Sequence, residues 1–197
     1  MAKRPKTAII ARTNAVLVTA AFDLIKRGCQ IQIVGKDVAK KLKDTIGDVI
    51  ETRRRVSIED FRLLLKGWMD ATRTRLDNDA SMTDEVKQDI LGEAEEMFGC
   101  LTVLAENATS IQDVIDKIDK YFIDSSAITD DPDVITLVTG HRAKGDEYER
   151  VIVLRSDLYP HPRAKREEDL AQEENCWYVT LTRAIDTLII CNDKRPE

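Results

Sequence analysis

The chain has 197 residues, of which 34% are charged and 5% aromatic, and it carries a formal net charge of -6. It is long enough for one domain with a sizeable insertion and contains no apolar run of about 18 residues that would span a membrane. A basic start (Met-Ala-Lys-Arg-Pro-Lys) leads into an apolar run too short for a signal-peptide core, and Cys29, Cys100, Cys176 and Cys191 form no C-x-x-C pair; a cytoplasmic protein with free thiols, without disulfide framework or zinc site, is expected.

Thr7 to Ala11 reads as a short buried strand, and Asn14 is placed to cap the helix that follows. That helix carries Val16, Leu17, Ala20, Ala21, Leu24 and Ile25 on one side and is predicted to stop at Gly28. Cys29 to Val34 is a second strand, so strand, helix and strand form a parallel, right-handed crossover. From Lys36 to Asp133 the period becomes helical and no strand is expected. Val38, Leu42, Ile46 and Val49 mark one amphipathic helix. A second carries Phe61, Leu64, Leu65 and Trp68, with Ser57 and Asp60 spaced for a capping box. Val86 to Leu104 gives a third, and Ile111 to Phe122 a fourth that Ser110 can cap.

The polar stretches Leu76 to Thr83 and Asp124 to Asp133 read as linkers. Val134 to Val138 and Val151 to Leu154 are apolar enough for central parallel strands, buried on both faces. A helix over Glu167 to Ala184 and a last strand over Thr187 to Cys191 follow, then a frayed tail from Asn192. The expected organisation is an α/β lobe formed by residues 1–35 and 134–197, interrupted by an all-α insertion at 36–133.

Charge is uneven along the chain. Residues up to Val56 include thirteen Lys/Arg against five Asp/Glu, a basic end suited to facing phosphates while the acidic remainder maintains solubility. Two phosphate-loop decoys fail on spacing: Gly35-Lys36-Asp37 lacks the upstream glycine and the Ser/Thr, and Gly140 to Gly145 is followed by Asp146 where a lysine is needed. No autonomous triphosphate site and no acidic metal pair is expected. Ligands of open parallel sheets bind at the C-terminal ends of the strands, and three polar clusters are expected there: Arg12-Thr13-Asn14, Thr139 to Glu147, and the helix end at Arg183.

T-G-H-R-A-K-G-D-E-Y (Thr139 to Tyr148), followed by an apolar strand, resembles motif V of the UvrD/Rep-type superfamily 1 DNA helicases. E-E-N-C-W-Y-V-T-L-T-R-A (Glu173 to Ala184) resembles their motif VI, and A-I-I-A-R-T-N-A is similar to the strand and turn that open the second half of their second lobe. The resemblance implies a RecA-like, P-loop NTPase-type parallel sheet flanked by helices, with the helical middle where that family carries an accessory helical domain. It implies the second motor lobe of an ATP-dependent single-strand translocase or helicase, an ATP hydrolase only in combination with an N-terminal lobe in the same or another chain.

By that resemblance Arg183 would reach the γ-phosphate, a role for a planar, permanently charged fork. Glu147 would accept from the ribose hydroxyls, Gly145 would let the backbone approach, and Lys144 would brace the loop or a phosphate. Thr139 and His141, with Arg12, Thr13 and Asn14, would line a single-stranded DNA path through sequence-independent contacts. Tyr178 and Glu173 would pack and orient the motif VI helix. Mg²⁺ would be held by the other lobe and not by this chain, because the Walker A and Walker B motifs are absent, as is the motif IV arginine. Asp146 stands where the family usually has an apolar residue, which would weaken local packing or ligand fit. Alternatively, the chain is a non-catalytic helicase-like module that binds single-stranded DNA or a protein. A small α/β enzyme with its own ligand is disfavoured by the missing glycine-rich loop.

Overall fold

The computed structural model describes residues 5–51, 53 and 55–192. Arg54, in the Arg53-Arg54-Arg55 run, and the tail after Asn192 lie outside the described residues. The chain divides into two compact units, residues 1–35 with 121–197, and residues 36–120.

Among the described residues the first unit is built on six strands: β1 (Thr7–Ala11), β2 (Gln30–Val34), β3 (Phe122–Ile123), β4 (Val134–Thr139), β5 (Tyr148–Leu154) and β6 (Ala184–Ile190). Their order is β3-β2-β4-β1-β5-β6, and every pairing is parallel. Strand β3 falls where no strand was expected. The apolar period of the preceding helix runs on into Phe122, but Phe122 and Ile123 pair with Ile33 and Val34, so the chain rejoins the sheet before its polar linker and not after it.

Helix α1 (Asn14–Lys26) links β1 to β2. Its last turn closes as expected at Gly28, whose φ is +78°. Gly28 N–H donates to Ile25 O and Cys29 N–H to Leu24 O, the two bonds of a Schellman stop. The N-terminal expectation is corrected: Thr13 occupies the cap position, and Asn14 is the first helical residue and is buried.

Side chains alternate across the sheet. Ile10, Val138, Val151 and Val153 pack on one face with Ala143 and Tyr148, and Tyr159 and Trp177 lie against them. Alternation places Ile9, Ile33 and Leu137, all buried, on the opposite face, the one left for α1. The long helix after β5 covers Glu167–Leu181, shorter than expected because Ala184 already pairs with Tyr148 in the β5·β6 ladder.

The second unit holds α2 (Lys36–Ile50), α3 (Ile58–Asn78), α4 (Asp84–Glu106) and α5, which begins at Ile111. The predicted caps form: Asp60 N–H donates to Ser57 Oγ at 3.0 Å, and Asp113 N–H to Ser110 Oγ at 3.1 Å. Phe61, Leu65, Met69 and Leu76 of α3 are buried, as are Met97, Leu101 and Leu104 of α4. Helix α3 thus takes in residues read as linker, because Leu76 continues its buried stripe. Lys41–Glu93, Lys43–Asp119 and Arg73–Glu95 tie these helices together by ion pairs, so part of the N-terminal basic surplus is neutralised within the fold. Trp68 is half-buried on the wall of a cleft of about 530 Å³ between α2, α3 and α4.

Among the described residues no helix is long and apolar enough to cross a membrane, and no His/Cys/Asp/Glu group could hold a metal ion.

Candidate functional site

The polar residues singled out above gather at two edges of the sheet, not one. At the C-terminal edge, β1 ends at Ala11 and β4 at Thr139, two residues that face each other in register. The chain leaves β4 in a tight turn in which Arg142 and Ala143 N–H both donate to Thr139 O. The helix α6 (Glu167–Leu181) presents Glu173, Cys176 and Thr180 to this edge. All three are buried, and their spacing of three and four places them on one face.

Glu173 accepts twice from Arg12, from Nε at 2.8 Å and from Nη2 at 2.5 Å, and once from the His161 N–H at 2.9 Å. Burial opposes ionisation of this carboxyl, but those three donors prevail and hold it below the usual carboxylate range. Arg12 is likewise penalised by burial yet held above its ordinary value by Glu173. The pair is a charge-assisted bidentate clamp joining the first strand to α6.

One turn along, Cys176 Sγ lies 3.5 Å from His141 Nδ1. Burial pushes this thiol upward, so it is protonated at neutral pH. Thr180 Oγ1 donates to Cys176 O at 2.9 Å and lies 3.3 Å from Tyr159 OH. The Tyr159 ring sits 4.9 Å from that of Trp177, and burial raises its hydroxyl to about 12.

Gly140 lies beneath this contact. A β-carbon there would overlap Thr180 Oγ1, fall 2.7 Å from Tyr159 OH and 3.0 Å from Cys176 Sγ. Gly140→Ala is expected to cost about 1–3 kcal/mol by overpacking, read as a lowered midpoint in thermal unfolding. An unchanged midpoint would show that α6 is not held against this turn.

The second cluster lies at the N-terminal edge. The segment from Gly140 to Glu147 connects the C-terminal end of β4 to the first residue of β5, and therefore travels the height of the sheet. It ends beside the turn into β6, where Tyr148 N–H donates to Arg183 O at 2.9 Å. Arg183 Nε donates to Val179 O at 2.9 Å, Nη1 to Asp146 O at 3.0 Å and Nη2 to Thr182 Oγ1 at 3.0 Å. Glu147, Lys144 and Gly145 are exposed beside it, with Gly145 at φ +97°.

The expectation that all three polar clusters share the C-terminal ends is thereby corrected. A helix feeding a parallel strand necessarily finishes at that strand's N-terminal end, and Arg183 precedes β6. Asp146 meets Arg183 through its carbonyl, so at this contact its departure from an apolar residue is of no consequence.

Of the five residues expected along a strand path, only His141 is exposed. Arg12 and Thr13 are half-buried, and Asn14 and Thr139 are buried. Tyr178 is 68% exposed and does not pack α6 against the sheet; Trp177, its neighbour, does. Cys176, Tyr159 and His161 were not singled out from sequence. The i, i+3, i+7 spacing of Glu173, Cys176 and Thr180 is a signal for Cys176; Tyr159 and His161 lie before the helix and carry none.

An all-parallel six-stranded sheet with helices against both faces and polar loops at both edges defines a RecA-like α/β lobe. Residues 104–195 match the UvrD-like helicase C-terminal domain, which supports a C-terminal lobe of a UvrD-type helicase. The matched segment supplies β3, β4, β5 and β6, and the unmatched β1 lies between β4 and β5 in the same sheet. No curated protein matches the chain. A C-terminal lobe of this kind implies an N-terminal lobe as its partner.

Proposed function

We propose that the N-terminal edge of this sheet closes onto ATP held by an N-terminal motor lobe, and that the C-terminal edge forms part of a single-stranded DNA track. The main support is that Arg183 and Glu147 lie together on one edge, joined through the Tyr148–Arg183 backbone bond. Of the five N–H donors of a guanidinium, three bind partners among the described residues. One N–H remains on each terminal nitrogen, an arrangement suited to two phosphate oxygens. Exposed Glu147 is an acceptor for ribose hydroxyls, and Gly145 lets the backbone approach them. Lys144 adds a positive charge on the same turn.

The transferred phosphoryl group needs positioning and charge neutralisation more than covalent chemistry. Arg183 supplies part of the charge, and the partner lobe supplies the phosphate cradle and Mg²⁺. At the opposite edge His141 and Thr13 face the strand, Arg12 shapes the surface through Glu173, and Thr139 and Asn14 form the framework beneath. Because α6 carries Glu173 near one edge and ends beside Arg183 at the other, closure on ATP shifts both edges together.

The test is to mix the chain with the N-terminal lobe of a UvrD-type helicase and measure ATP hydrolysis with and without single-stranded DNA. The mixture is expected to hydrolyse ATP in a DNA-stimulated manner, and the chain alone not at all. Lobes that bind each other yet hydrolyse nothing would refute the motor reading in favour of a module that only binds.

A further inference from the structure

The two edges of the sheet are protected very differently. Edge β3 is two residues long, and shortness is one of the means by which edges avoid pairing with other chains. The opposite edge, β6, has seven residues and carries apolar side chains toward both faces. Ile185, Leu188, Ile189 and Ile190 are 60%, 40%, 42% and 50% exposed. A strand apolar on both faces has the pattern of a central strand. From Thr187 onward β6 has no lysine, proline or bulge to guard it, since the register irregularity lies before that point.

We propose that β6 pairs antiparallel with β6 of a second copy of this chain, about a two-fold axis at Ile189, so that the two sheets become one. Cys191 N–H donates to Val153 O and Cys191 O accepts from Ser156 N–H. By alternation Thr187, Ile189 and Cys191 direct their main-chain groups at β5, and Leu188 and Ile190 direct theirs outward. In an antiparallel pairing centred on Ile189, Leu188 of one copy meets Ile190 of the other and exchanges both backbone bonds.

The side chains agree with that register. Ile189 meets Ile189, Leu188 meets Ile190, Thr187 meets Cys191, and Asp186 meets Asn192. Aliphatic faces aliphatic, small faces small, and the one carboxylate faces a carboxamide. Centring on Leu188 would instead set Asp186 against Ile190. Four half-exposed aliphatic side chains and the strand edge amount to on the order of 500 Å² per copy, which brings a symmetric pair to about 1,000 Å², the lower bound for a specific interface. The closed, isologous geometry stops at two copies.

The test is the solution mass of the full chain. Sedimentation equilibrium at concentrations on the order of 100 μM is expected to give twice the 22.3 kDa of one chain. Ile190→Pro removes an outward N–H at an edge position where proline is tolerated, and Ile189→Lys puts like charges on the axis. Each is expected to return the mass to that of one chain with an unchanged far-ultraviolet circular dichroism spectrum. Independently, the exposed Thr187→Cys places a thiol opposite Cys191 of the second copy and is expected to yield an oxidised dimer on a non-reducing gel. A wild-type chain of single mass, a dimer that survives both folded variants, or no cross-link from Thr187→Cys would overturn the proposal.

Discussion

Arg183→Ala is expected to lower DNA-stimulated ATP hydrolysis by the assembled lobes about 10³-fold or more, the loss typical of an arginine that neutralises the transferring phosphoryl group. The chain itself should remain folded. The side chain makes three hydrogen bonds near the surface, each contributing about 1 kcal/mol, while the backbone bond from Tyr148 to Arg183 O survives the substitution. Arg183→Lys should recover little, because an ammonium cannot hold the Val179 and Asp146 carbonyls and still present a planar pair of donors. The informative comparison is kcat at saturating ATP, with lobe association and the circular dichroism spectrum as controls. Turnover within tenfold of wild type would remove Arg183 from the phosphate site.

The second large effect is on stability. Glu173→Ala leaves the Arg12 guanidinium, only 19% exposed, without its carboxylate, and breaking one side of such a pair costs about 3 kcal/mol. For a chain of this length that lowers the melting midpoint by on the order of 10 °C. The sign of the pH dependence follows from the direction of the shift. Burial works against the Glu173 carboxylate, but hydrogen bonds from Arg12 and the His161 N–H hold its folded pKa below the unfolded value. The stabilisation is therefore complete above the ordinary glutamate pKa of about 4.3 and is lost as the pH falls through the lower, folded value. Wild type should lose stability relative to Glu173→Gln as acid is added below about pH 4.3. Parallel pH profiles of the two proteins would show that Glu173 does not hold Arg12 as a carboxylate.

The buried strands could be read directly from the chain. Val134 to Val138 and Val151 to Leu154 are apolar without alternation because both faces of a parallel sheet are covered, and Gly28, Ser57 and Ser110 mark helix ends by chemistry confined to a few residues. The proximity of Arg183 and Glu147 was legible as well, but only through the two motifs together, since nothing in their local patterns links positions on either side of a long helix. Strand β6 was recognisable as apolar, yet its place at an edge was not, because apolar residues look the same whether a neighbour covers them or solvent does.

What sequence alone determined about this protein is therefore local: the helices and every strand but β3, most of their ends, and the residue types gathered in the two motif segments. Which sheet edge each segment occupies was decided by tertiary structure, since a helix returning to a parallel strand must end at that strand's start, which carries Arg183 away from His141. The Arg12–Glu173 clamp and the Cys176–His141 contact were decided there too. Each joins residues remote in sequence, and only the folded sheet brings a guanidinium and a carboxylate close enough, out of water, to hold each other ionised.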